Sequence, residues 1–147
     1  MFAVLLTGGK AVPIHTAVSD EKQYFKGRKS KMKVKDIIEI LNAEVMCRDD
    51  LLEQELHTAC GSDMMSDVLA FVKEQAVLLT GLVNPQVVRT AEMMDMHCIV
   101  FVRGKRPRLD MIELAEDRDM VMLCTDLEMF TACGKLYEAG LRGGSGK

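Results

Sequence analysis

Tryptophan is absent from this chain of 147 residues, and the other aromatics stop at two Tyr and five Phe. A core must therefore be built from aliphatic side chains and the 12 methionines, whose flexible thioethers fill irregular gaps. No C-x-x-C occurs among the five cysteines at 47, 60, 98, 124 and 133, so neither a zinc ribbon nor a thioredoxin-like dithiol is spelled out. An odd set of thiols of this kind points to a reduced, cytoplasmic protein. No apolar run approaches the roughly 18 residues that a membrane-spanning helix needs. "FAVLL" near the N-terminus is too short for a signal-peptide core and is followed by charge rather than by a cleavage site. Catalytic signatures are missing as well: H-E-x-x-H, G-x-S-x-G and G-x-G-x-x-G do not occur. "GLRGGSGK" imitates a phosphate loop, but Leu141 stands where that motif needs its first Gly, so residues 142–147 read as a flexible tail.

What is present suits one ordinary domain. Hydrophobic residues are 48% and charged residues 28% of the chain, a mixture that excludes disorder and fibrous repeats. The net charge of −3 argues against a general nucleic-acid binder, which carries a basic field. That charge is unevenly spread. Residues 1–31 hold six Lys or Arg against two acids, a net of +4, whereas residues 32–147 hold 13 against 20, a net of −7. Residues 1–31 thus read as a basic arm or leader, within which "FAVLLTGGKAVPI" has strand character, and residues 32–141 as the folded body.

Within the body, Val34, Ile37, Ile38 and Leu41 fall on one helical face. A short strand at 43–47 and an apolar piece around 56–60 follow. Ser62 is placed to cap a helix running to about Gln75, with Met65, Val68, Leu69 and Val72 as its buried stripe. "AVLLTG" is too short for a helix and does not alternate, which is how a strand covered on both faces reads. Asn84 and Pro85 then carry a helix start signal, since Asn caps and Pro at the first helical position loses only an amide without a partner. "HCIVFVRG" and "KRP" repeat the manoeuvre, with Met111, Ile112, Leu114 and Ala115 as the stripe. "MVMLCT" repeats it again, with Thr125 and Glu128 at capping-box spacing and Leu127, Phe130, Cys133, Leu136 and Tyr137 on one face.

Successive β-α units of this kind imply an α/β fold, a three-layer α/β/α sandwich around a mainly parallel sheet. The strand C-termini then share one edge, the customary binding edge of open α/β sheets. Thr80, Gly81 and Asn84, then Arg103, Gly104, Lys105 and Arg106, then Thr125 and Asp126 would gather there as a phosphate or nucleotide site, with helix N-termini adding free amides. The ligand-binding candidates are Thr80, Gly81, Asn84, Arg103, Gly104, Arg106 and Thr125. A cysteine enzyme or metal carrier using His57, Cys60, His97, Cys98 or Cys124 ranks below ordinary packing, because neighbours on a strand point to opposite faces. Paired carboxylates at Asp49 and Asp50, and at Glu116 and Asp117, read as solvated charge.

The order of "KVKDIIEILNAEV", "ACGSDMMSDVLAFV", "AVLLTGLVNPQVVRTA", "IVFVRGKRP" and "LCTDLEMFTAC" resembles the DRTGG domain family, in particular its short stand-alone members, over residues 32–141. The naming motif is only loosely reflected, in Thr80-Gly81 and Arg103-Gly104. The resemblance implies a small α/β domain related in fold to the N-terminal domain of HPr kinase/phosphorylase. Family members accompany CBS or catalytic modules in phosphate acetyltransferases and nucleotide-regulated pyrophosphatases, where they regulate or help form dimers. It further implies a homodimer without catalysis of its own, accessory to a hydrogenase or phosphotransfer system through a protein partner in that redox or phosphotransfer system. The alternative is a small-molecule sensor for a nucleotide or other phosphate ligand.

Overall fold

The computed structural model describes residues 4–7, 10–13, 31–71 and 75–144, the first two stretches as backbone only. β1 (Val4–Thr7) and β2 (Lys10–Pro13) pair antiparallel as a two-stranded ladder of their own. The strand character expected there is present, but the ladder does not extend the main sheet. The rest of the basic arm lies outside the described residues.

β3 (Met32–Lys33) precedes α1 (Val34–Leu41) and pairs antiparallel with β5 (Glu55–Leu56). α1 begins where the Asp36 carboxylate accepts the Lys33 N–H at 2.8 Å, and it ends on Asn42, left-handed at φ 48°. β4 (Glu44–Cys47) follows, then a 3₁₀ turn at Asp49–Leu51. β6 (Thr58–Gly61), α2 (Met65–Leu69), β7 (Ala76–Thr80), α3 (Pro85–Met93), β8 (Cys98–Phe101), α4 (Leu109–Glu116), β9 (Val121–Cys124), α5 (Met129–Glu138) and β10 (Arg142–Gly143) complete the order.

Six of these strands form one sheet in the order β10-β6-β7-β8-β9-β4. The first five run parallel and β4 closes the edge antiparallel to β9, giving the mainly parallel sheet that the three apolar runs imply. β10 corrects one boundary. Arg142 and Gly143, read from sequence as the start of a tail, pair with Thr58 and Ala59 of β6. Residues 145–147 lie outside the described residues.

The central strands are buried on both sides, and their residues alternate between two cores. Leu78, Ile99, Phe101 and Met122 face Val68 of α2, Val87, Val88 and Ala91 of α3, and Met111 and Ala115 of α4. Val77, Leu79, Val100 and Leu123 face Val34, Ile37 and Leu41 of α1 and Ala132 and Leu136 of α5. This is a three-layer α/β/α sandwich. Its helix placement follows from the strand order. From β6 to β9 the chain steps one way across the sheet with α2, α3 and α4 on one face. β10 lies back at the far edge, so keeping one hand of crossover sends α5 over the other face. No described helix is long and apolar enough to cross a membrane.

Three local expectations are corrected. Ser62 is not a helix cap: α2 starts after Met64 without a side-chain cap, and the Ser62 hydroxyl instead accepts the Met64 N–H at 3.0 Å in a local turn. α2 also ends at Leu69, which is exposed, well short of Gln75; Val72 lies outside the described residues. Thr125 and Glu128 form no capping box, because α5 starts only at Met129; the Thr125 hydroxyl oxygen accepts the Leu127 N–H at 3.3 Å in a turn before it, and its hydrogen goes to the Leu41 carbonyl at 2.8 Å. Phe130 and Tyr137 are consequently exposed, and Ala132 and Leu136 carry the buried stripe of α5.

Candidate functional site at the strand C-terminal rim

The parallel strands bring the ends of β6, β7, β8 and β9 to one edge. β8 leads to α4 on one face and β9 leads to α5 on the other, so the connections diverge between these neighbouring strands. Such a switch point is where open α/β sheets keep a crevice. Here the crevice is largely filled by the chain itself.

Arg103 and Gly104 are both left-handed, at φ 58° and 67°, and the Lys105 N–H donates to the Val102 carbonyl at 3.1 Å. Positive φ at both central positions with that closure is a type I′ turn. A non-glycine residue in this region costs about 1 kcal/mol or more. The turn folds into the crevice: the Arg103 N–H donates to the Leu127 carbonyl at 2.8 Å and the Gly104 N–H to the Thr125 carbonyl at 3.0 Å. These two turn amides are therefore engaged within the chain. What remains is a cavity of about 100 Å³ lined by Asn42, Glu44, Gly104, Arg106, Cys124 and Asp126. Ligand pockets measure about 300–1,000 Å³, so it has room for a small ion and not for a nucleotide. Arg106 is ion-paired with Glu44 at its mouth.

The β7 end is different. The Asp63 carboxylate, from the connection after β6, receives three donors. Gly81 N–H reaches Oδ1 at 2.6 Å, the Thr80 hydroxyl reaches the same oxygen at 3.3 Å, and Arg103 Nη2 reaches Oδ2 at 2.9 Å. Thr80 also accepts the Leu82 N–H at 3.2 Å, which fixes its hydroxyl hydrogen toward Asp63. The Gly81 N–H, more than the Arg103 guanidinium, holds the Asp63 carboxyl below the usual carboxylate range, against a smaller desolvation cost. Gly81 is needed for the approach of Arg103, since a Cβ there would lie 1.9 Å from Nη2.

The structure thus joins Thr80, Gly81 and Arg103 through Asp63, and places Gly104, Arg106 and Thr125 around the neighbouring crevice. Asn84 belongs to neither group. Its side chain accepts the Gln86 N–H at 2.8 Å and caps α3, directly before Pro85, as the start signal implies. Arg106 is likewise not the free cation that the sequence suggests. Asp126 lines the crevice at the rim where it was expected, whereas the carboxylates Asp63 and Glu44 escaped the sequence reading, although recognising "TACG" as a fourth parallel strand would have sent "SD" to the same rim.

The thiols are poor nucleophiles. Burial pushes Cys98 up to about 12 and Cys124 to about 11, so both stay protonated near neutrality. His97 faces Asp95 at 3.2 Å and His57 faces Glu55 at 3.6 Å, each beside its own strand. Among the described residues no three His, Cys, Asp or Glu side chains gather to hold a metal ion.

With this sheet and rim in view, the comparison with known proteins is decisive for the family. The model of the DRTGG domain matches residues 36–139. The chain belongs to the DRTGG domain family. No curated protein sequence matches it. Among solved structures, this DRTGG domain is similar to the CBS and DRTGG domains of the regulatory region of Clostridium perfringens pyrophosphatase, a structure complexed with the activator diadenosine tetraphosphate. The TM-score is 0.63 at 15% identity, over 88% of this chain and 57% of that one. The likeness is one of fold, and the chain spans little more than half of the structure it matches.

Proposed function

We propose that this DRTGG domain is a regulatory module without catalysis of its own, which reads a nucleotide or other phosphate-bearing ligand at the rim formed by Thr80, Gly81 and Arg103. The observation that carries this reading is the convergence of an amide, a hydroxyl and a guanidinium on one anionic group. A phosphoryl oxygen is recognised by the same donor set. The family membership and the regulatory setting of the similar structure support the role. Crevice residues Gly104, Arg106 and Thr125 serve in this reading as the frame that holds Arg103, and Asn84 as the cap that starts α3. A homodimer that acts on a protein partner in a redox or phosphotransfer system is the proposed setting.

Calorimetric titration of the full chain with inorganic phosphate, ATP and diadenosine tetraphosphate tests the reading. Saturable binding of at least one, lost in Arg103→Ala, is expected, with a dimer mass in light scattering. No binding of any of the three would overturn the sensor reading, and a monomer mass at every concentration would remove the dimer.

A further inference from the structure

The anion site at the end of β7 is already occupied by the protein's own carboxylate. We propose that Asp63 is an internal stand-in for the ligand, and that a phosphoryl group binds by exchanging with it. This rests on the proposed function and adds how the site is regulated.

The two Asp63 oxygens take the donors that a phosphoryl group would take, from the Gly81 amide, the Thr80 hydroxyl and Arg103. The contact is poorly shielded, with the side chains of Arg103 and Asp63 40% and 43% exposed. Ion pairs as exposed as this one are worth little, so the guanidinium can leave Asp63 for a more highly charged anion that also takes the Gly81 amide. A phosphoryl group of higher charge, with three oxygens, has the advantage over a single carboxylate for the same donors.

The segment that carries Asp63 is lightly held. Ser62 continues the β6–β7 ladder by one bond, its N–H to the Leu79 carbonyl at 3.0 Å. Beyond it Met64 is 62% exposed, and α2 has five residues. Release of Asp63 therefore frees the connection between β6 and α2. α2 packs on α3 and buries Val68 among the Val87 and Val88 side of the core, so the exchange is transmitted to the helical layer. An occupied site and a vacant site then differ in the position of one connection, which is the kind of two-state element a regulatory domain requires.

The test is competition. Asp63→Asn keeps an oxygen for the Gly81 amide and removes the charge, so it unloads the site with little change in shape. Titrations of the wild-type chain and the variant with inorganic pyrophosphate and with ATP are compared, following the Gly81 amide by NMR. Asp63→Ser repeats the measurement if the Asn variant folds poorly. The expected result is binding about tenfold tighter in the variant, with the Gly81 amide shifting on binding in both proteins. Arg103→Ala added to the variant should abolish the gain. Equal affinities of wild type and variant would overturn the exchange while leaving a phosphate site in place. Binding to neither protein would remove the site itself, and the exchange with it.

Discussion

Gly81 shows how one missing side chain organises the rim. Its hydrogen leaves the space in which the Arg103 guanidinium reaches Asp63, and its backbone avoids the left-handed region, so alanine is conformationally allowed there. Gly81→Ala should consequently leave the backbone intact and push the guanidinium off Asp63. The expected cost in stability is below about 1 kcal/mol, the range of an exposed ion pair. Binding of ATP and pyrophosphate should nevertheless fall by an order of magnitude or more. Denaturant unfolding and calorimetric titration of the same sample separate the two effects, and an unchanged affinity would show that Arg103 does not contact the ligand. At this scale the sequence revealed donors and concealed acceptors. Thr80, Gly81 and Arg103 stand beside readable strands, whereas Asp63 lies 40 positions from Arg103 and joins it only when β6 takes its place in the sheet. Glu44 and Arg106 are 62 positions apart and equally invisible.

At the scale of elements, short apolar runs were legible and helix starts were not uniformly so. β7, β8 and β9 are four or five residues buried on both faces, as a strand covered on both sides is. Asn84-Pro85 worked as a start signal because Asn has no better partner than the Gln86 amide. Thr125 is not the cap because the chain makes a further turn before the helix: its hydroxyl oxygen accepts the Leu127 N–H at 3.3 Å, its hydrogen goes to the Leu41 carbonyl, and α5 starts only at Met129. The capping-box spacing does not distinguish that turn from a helix start. The same late start turned Phe130 outward, leaving it 89% exposed where the sequence stripe placed it inside. α5 also carries Gly134 in its interior, where an added Cβ would meet nothing within 4 Å and φ is not positive. Gly134→Ala should stabilise the domain by about 0.5–1 kcal/mol, because glycine has more conformational freedom to lose in a helix. A higher denaturation midpoint at unchanged slope would confirm it; a lower midpoint would mean that this face of α5 is covered by something absent from the single chain.

At the scale of the whole molecule, the three layers are tied together by alternation along the central strands. In β8, Ile99 and Phe101 belong to the core under α2, α3 and α4, whereas Cys98 and Val100 belong to the core under α1 and α5. Neither helical layer can keep its apolar contacts if β8 loses its position. The two cores should therefore unfold as one cooperative unit, despite lying on opposite sides of the sheet. Ile99→Ala tests this, since Ile99 is wholly buried at the centre of the six-stranded order. Removing three buried carbons and leaving a cavity costs about 2–5 kcal/mol, a large part of the roughly 5–15 kcal/mol that holds a domain of this kind folded. The variant should lose stability by that amount in a single transition, with reporters on α1 and on α3 moving together. Two separated transitions would mean that the layer of α1 and α5 stands without the other. In that case a change at the Asp63 connection, which lies on the α2 side, would have no route through the sheet to the opposite face, and any partner reading the ligand would have to dock on the α2–α4 layer.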